Sequence, residues 1–268
     1  MRLILITNVP DEAHRAARSG VDMIMVDLEK IGKSKRQSGR DTLISDHSVE
    51  DISAIVAALE GTGAETIVRV NPLHIGSEIE IDEAIGRGAK ELMLPMFRHH
   101  DEVSTFAEYV NGRARITLLL ETSSALARLK YILSLPFEFG VHVGLNDLHK
   151  EMRIDFMFEL LSGGVLDYVS EYCYKFHRSL GIGGIARTRS ETAVVPASLI
   201  AAQHLRLGST SVILSRDWRS LTNQAEFEEN IRDLRSLFVG PSSPQVLEQF
   251  DATVNTVSRP QVRNSGLQ

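Results

Sequence analysis

Eight short apolar runs, each followed by a stretch of helical character, recur along this chain at a spacing that leaves room for one layered α/β fold. The runs are Leu3–Ile6, Met23–Val26, Ile67–Val70, Glu91–Leu94, Ile116–Leu120, Val141–Gly144, Gly181–Ile185 and Ser211–Leu214. Most are apolar on both alternating faces, the pattern of strands covered on two sides in a parallel sheet. Between them lie helical patterns. Pro10–Arg18 has its proline where no donor is lost and acids in its first turn. Val49–Leu59, Ile79–Ile85, Val103–Val110, Phe156–Leu161, Leu166–Leu180 and Pro196–Leu205 follow, and Phe227–Phe238 is a last amphipathic helix. Eight such units without a linker predict a (β/α)8 TIM barrel over residues 1–240, with a doubly wound sheet as the alternative. Residues 241–268 read as a short helix and a flexible polar tail.

Composition narrows the function. A formal net charge of −6 gives no electrostatic footprint for nucleic acid, so no nucleic-acid partner is expected. No apolar run approaches the roughly 18 residues of a membrane span, and the N-terminus has too short an apolar core for a secretory signal. A soluble, cytoplasmic protein is expected. The single cysteine, Cys173, sits in a helical pattern and reads as a buried inert thiol.

In a TIM barrel, polar residues at the C-terminal ends of strands are the functional candidates. Strand two ends in Asp27 and Glu29, strand three in Arg69 and Asn71, and strand four in Pro95 and Met96. Strand five ends in Glu121, strand six in Asn146 and Asp147, strand seven in Gly183, Gly184 and Arg187, and strand eight in Ser215 and Arg216. A carboxylate where a buried strand opens into a loop needs something to satisfy it. Glu121 and Asp147 could each cap a helix or pair with an arginine; together they could share one hard cation. An all-oxygen acidic set suits Mg²⁺ or Mn²⁺, and Mg²⁺ takes few protein carboxylates. Arg69 could face negative charge that develops on a substrate, or simply pair with Asp27 or Glu29. The connection Lys30–His47 is far longer than an ordinary βα loop, which marks it as a lid or binding loop.

The segments VDMIMVDLE, TIVRVNP, ELMLPMF, LLLETSSAL and VHVGLNDL, in that order and spacing, resemble the HpcH/HpaI aldolase and citrate lyase β-subunit family over roughly residues 3–215. The resemblance implies a divalent metal on Glu121 and Asp147 and an arginine at Arg69. It implies a 2-oxo acid such as pyruvate that chelates the metal, with an aldehyde or an acyl-CoA as the second partner. It also implies a homo-oligomer that exchanges its last helix, here Phe227–Phe238. The chain departs from the pyruvate aldolases at Lys30, which stands where they carry a histidine for acid/base chemistry; Asp27-Leu-Glu29 also approaches the citrate-lyase motif. His47, at the end of the long loop, is a replacement candidate, and otherwise an exposed residue near a helix start. Lys33 heads a basic group (Lys33, Lys35, Arg36) that could hold a carboxylate or the CoA tail. The expected activity is a metal-dependent carbon–carbon lyase in which Arg69, Asp27, Glu29 and His47 serve catalysis. Arg69, Asn71, Pro95, Asn146 and Lys33 are expected to hold substrate. The alternatives are an acyl-CoA lyase or thioesterase and a non-catalytic barrel that binds a small acid. His142, within strand six, reads as core or pore-lining, and His99-His100 as a helix start.

Overall fold

The computed structural model describes residues 1–32 and 46–258. Among them, eight parallel strands close into a barrel in sequence order, β1 pairing with both β2 and β8. The strands are β1 (Arg2–Ile6), β2 (Met23–Asp27), β3 (Glu65–Arg69), β4 (Glu91–Leu94), β5 (Arg115–Leu120), β6 (Gly140–Val143), β7 (Leu180–Ile185) and β8 (Ser211–Leu214). The closed form prevails over the doubly wound sheet because β8 finds β1: Leu3 is in register with Val212.

Around the barrel run α1 (Pro10–Arg18), α2 (Glu50–Ala58), α3 (Ser77–Gly86), α4 (His100–Val110), α5 (Ser123–Ala127) and α6 (Leu129–Leu133). Then come α7 (Leu145–Glu151), α8 (Glu159–Ser162), α9 (Val165–Lys175), α10 (Ala197–Arg206), α11 (Gln224–Ser236) and α12 (Pro244–Ser258). The helix expected to run to Leu180 stops at Lys175, because His177 turns left-handed at φ 55° and Leu180 opens β7. No helix among the described residues is long and apolar enough to cross a membrane.

Alternation along each strand divides the core in two. Ile4, Met23, Met25, Ile67, Met93 and Leu119 point into the barrel, while Ile24, Val26, Val68, Leu118 and Leu120 pack outward against the helices. The same period carries the inward stripe of β2 from Met25 to Asp27, of β3 from Ile67 to Arg69, and of β5 from Leu119 to Glu121. The mouth residues are thus continuations of the core stripes. The foot of the barrel is closed by buried Glu91, which accepts from Thr117 Oγ1 at 2.6 Å, Arg115 Nε at 3.2 Å and Arg2 Nη1 at 3.3 Å.

The helix for which the resemblance implies exchange, α11, packs within this chain on Trp218 and the chain's first residues. In α11, Phe227, Ile231 and Leu234 are buried, Phe227 edge-on to Trp218, and Arg235 reaches the carbonyls of Met1 and Gly20. The final helix, α12, is longer than the sequence suggests. It includes Val257 and Ser258 and buries Phe250 and Val254 against α10 and α8. Cys173 is buried, its thiol pushed up to about 12 by burial, which keeps it an inert core residue.

Arg178, between α9 and β7, pins the turn ahead of β6. It donates to the carbonyls of Leu133, Leu135 and Phe137 and stacks over Phe139 at 4.1 Å. Arg178→Ala strands three carbonyls and is expected to lower unfolding stability by about 2–4 kcal/mol in urea titration; a loss below about 0.5 kcal/mol would show that water replaces the guanidinium.

Candidate functional site

Asp27 and Arg69 meet across the β2–β3 ladder, where they are directly in register. The pair is bidentate: Arg69 Nε donates to Asp27 Oδ1 at 2.8 Å and Nη2 to Oδ2 at 2.7 Å. Glu29 Oε2 stands 3.6 Å from the same Nε, and the Glu29 amide donates to Asp27 Oδ1 at 3.2 Å. Burial opposes the charge on Arg69, but Asp27, Glu29 and Glu121 outweigh it and hold the guanidinium above its ordinary range. Arg69 is therefore a fixed cation at the mouth, its side chain 15% exposed. Of the two parts its position allows, the ion pair is realised; the pair also aims the guanidinium.

Glu121 caps β5 and is buried. Burial pushes its carboxyl up to about 8; Arg69 pulls it down, and Glu29 and Asp147 push it up again. Two local features hold it there. Met96, just past β4, adopts φ 56° and donates its amide to Glu121 Oε1 at 3.1 Å. A left-handed conformation at a non-glycine residue is strained, and such strain concentrates at functional sites. Gly144, just past β6, leaves the room the carboxylate needs, since a Cβ there would lie 2.8 Å from Glu121 Oε2. Met96 and Gly144 are invisible as site residues in the sequence, because their parts are played by an amide and by a missing side chain.

Asp147 lies in the first turn of α7, its side chain 19% exposed, with Lys150 Nζ 3.7 Å from Oδ1. Its charge is among those that push Glu121 up, after burial and Glu29. An oxygen-only pair at which negative charge is in excess fits a hard divalent cation, so Glu121 and Asp147 suit the metal that the resemblance implies. Among the described residues, the group of three or more side chains whose ligand atoms all lie within 4.8 Å of one another is His99, His100 and Asp101. All three are exposed at the start of α4, as the helix-start reading expects, where the helix dipole opposes a cation.

His47 is buried, not exposed. β1 ends before it can offer an acceptor to Asp27, and His47 Nδ1 fills that place, accepting the Asp27 amide at 2.9 Å. Burial holds His47 below its ordinary range against the pull of Asp27 and Asp51. A neutral imidazole that accepts at Nδ1 carries its proton on Nε2. His47 is thus placed beside Asp27 at the mouth, with its Nδ1 engaged by the backbone.

Asn71 holds protein groups at both ends of its side-chain amide. Its Oδ1 accepts from the amides of Lys30 and Ile31 at 2.8 and 3.0 Å, and its Nδ2 donates to Glu80 Oε1 at 2.8 Å. Glu80 Oε2 in turn lies 3.1 Å from His74 Nε2. The chain His74–Glu80–Asn71 anchors the start of the long connection. Asn71→Ala should raise amide hydrogen exchange at Lys30 and Ile31 by about tenfold, the loss of roughly one net hydrogen bond; unchanged protection there would refute the anchor.

Pro95 is buried at the end of β4, and Asn146 is exposed in the first turn of α7, beside Asp147. Lys33, with Lys35 and Arg36, lies outside the described residues.

Comparison with known proteins agrees with this fold. Three solved structures share the fold: an HpcH/HpaI aldolase from Desulfitobacterium hafniense DCB-2, a citrate synthase, SbnG, and an HpcH/HpaI aldolase/citrate lyase family protein from Burkholderia cenocepacia J2315. The first is 15% identical with a TM-score of 0.62 and covers 91% of this chain and 95% of its own. The second is 14% identical with a TM-score of 0.60 (88% and 94%), and the third 15% identical with a TM-score of 0.60 (89% and 95%). No curated protein sequence matches the chain. The family model for HpcH/HpaI aldolase/citrate lyase matches residues 3–156, from β1 past Asp147, a span that holds all five sequence motifs but is shorter than the resemblance over roughly residues 3–215. Its members are lyase-type enzymes that generally depend on a divalent metal. With Arg69, Glu121 and Asp147 all inside the matched span, the chain belongs to the HpcH/HpaI aldolase/citrate lyase family.

Proposed function

We propose that the protein is a metal-dependent carbon–carbon lyase that acts on a 2-oxo acid such as pyruvate together with an aldehyde. The observation that carries this reading is the charge arrangement at the mouth. Buried Glu121, driven up to about 8 and coupled to Asp147, stands beside a guanidinium that Asp27 locks in place. A Mg²⁺ or Mn²⁺ ion on Glu121 and Asp147 would supply Lewis acidity toward the keto oxygen of such an acid. The protein's own groups do the rest. Arg69 offers a preorganised positive charge to the oxygen on which enolate charge develops. Asp27 and Glu29 orient that guanidinium, and Met96 and Gly144 fix the carboxylate of Glu121. His47, protonated on Nε2, can donate but not accept at that edge.

The test is solvent deuterium exchange at the methyl group of pyruvate, followed by NMR, with Mg²⁺, with Mn²⁺ and after chelation. Exchange that requires the metal is the expected result, since enolate formation needs no aldehyde. No exchange with either metal would overturn the pyruvate reading and move the weight to acyl-CoA substrates.

A further inference from the structure

Glu151, the last residue of α7, bonds to two segments outside that helix. Its Oε1 lies 2.9 Å from Arg98 Nη2, and its Oε2 accepts the amide of Ser123. Ser123 opens α5, two residues after Glu121, and its amide is one of the donors that a helix start leaves without a partner in the helix. Asp147 stands four residues before Glu151, so the two acids lie on one face of α7, one turn apart. One carboxylate therefore joins the helix that carries Asp147 to the turn that carries Glu121.

The turn after β4 completes the connection. Three successive residues there reach across. The Met96 amide donates to Glu121 Oε1 at 3.1 Å, the Phe97 carbonyl accepts from Thr122 Oγ1 at 2.7 Å, and Arg98 meets Glu151. The β5–β6 ladder does not extend this far. Its last pair is Leu120 with Val143, and the Gly144 amide adds a bond to the Leu120 carbonyl. Glu121 and Asp147 both lie beyond it, so the turns rather than the sheet set their separation. Two like charges four residues apart on one helix repel, and Arg98 answers the one on Glu151. With side chains 50% and 26% exposed, that pair adds little stability as an ion pair alone.

We propose that Glu151 is a positioning residue for a divalent cation: it sets the separation of Glu121 and Asp147 by tying α7 to the turns that follow β4 and β5. This rests on the metal-dependent reading above. The tie favours the smaller ion. Mg²⁺ demands near-ideal octahedral geometry at about 2.0–2.1 Å, whereas Ca²⁺ accepts flexible geometry at about 2.3–2.6 Å. Carboxylates held at one separation suit the demanding ion, and carboxylates free to drift lose it first. Glu151 thus acts on the preference between cations through the two ligands, not by contact.

The experiment measures Mg²⁺ and Ca²⁺ affinities by calorimetry for wild type, Glu151→Ala and the double variant Arg98→Ala with Glu151→Ala. The double variant keeps the net charge of wild type, so a change there is geometric. Mg²⁺ affinity is expected to fall about 10- to 100-fold in both variants, the range for groups that orient metal ligands, and Ca²⁺ affinity to fall less. A ratio of the two affinities that stays within about threefold of wild type in the double variant overturns the proposal, however far each affinity moves. A group that only capped α5 would lower the melting temperature and leave that ratio alone. Should the alanine variants fail to fold, Glu151→Gln, which keeps an acceptor for the Ser123 amide, decides by the same ratio. Should wild type bind neither cation, the metal reading fails, and the NMR signal of the Met96 amide decides whether Glu151 sets the place of Glu121. That amide bonds to Glu121 and not to Glu151, so a shift in Glu151→Gln upholds the tie and an identical signal overturns it.

Discussion

Glu121→Gln is expected to abolish metal-dependent pyruvate exchange while stabilising the metal-free protein at alkaline pH. Gln keeps the shape and the bond from the Met96 amide, but it cannot carry charge. The carboxyl of Glu121 has a folded value of about 8, above its ordinary 4.5. Between those values the folded chain holds a proton that the unfolded chain has released. Stability from this group is therefore present below about pH 4.5 and is lost as pH rises through about 8. The variant has no such loss. In chelator, its melting temperature should match that of wild type near pH 5 and exceed it at pH 8.5. Added Mg²⁺ should reverse the order, because only wild type gains from a cation that binds the folded state. Exchange should fall by more than about 100-fold, the upper end of what an outer-shell partner costs a metal site. A variant that melts lower than wild type in chelator at pH 8.5, or that retains metal-dependent exchange, would remove Glu121 from the role assigned to it.

The largest loss of stability is expected from Arg69→Ala. Asp27, Glu29 and Glu121 are all buried, and each draws on this one guanidinium. Removing a single partner of a buried ion pair leaves charge uncompensated, which costs about 3–5 kcal/mol. The double variant Arg69→Met with Asp27→Leu removes the pair together and is expected to recover most of that loss in urea titration. Exchange should stay absent in both. This separates the ion pair's support of the mouth from the part proposed for the cation at the enolate. Recovery of exchange in the double variant would show that the arginine acts only as scaffold. Failure to recover stability would show that Arg69 chiefly answers Glu29 and Glu121.

Much of this site is legible in the amino-acid sequence. Asp27, Arg69, Glu121 and Asp147 stand out because charged residues end strands that are otherwise apolar, and burying charge without purpose is expensive. Period-two alternation then places three of them on the inward stripe. The site residues that the sequence hides share one property: the part is played by backbone, by absence, or by a distant partner. Met96 contributes an amide in a left-handed turn, and Gly144 contributes space. Asn71 reads as a ligand contact because it follows a barrel strand, and the structure adds Lys30, Ile31 and Glu80 as partners of its amide. His47 reads as a base by its place at the end of the loop that Lys30 begins. Its accepted bond from the Asp27 amide, made across 20 residues of sequence, decides its tautomer and so its chemistry.

The sequence by itself determined the class of fold and the chemical character of the mouth. Strand length, apolar runs and the spacing of helices are local properties, and eight βα units of this length have few ways to bury both faces of every strand. Only the tertiary structure decided closure, through the pairing of β1 with β8 at opposite ends of the barrel sequence. Only it decided which carboxylate is neutralised by Arg69 and which is left to be driven up, because a shifted pKa depends on burial and on neighbours brought from other strands. The residue types are written along the chain; their protonation states follow from how it closes.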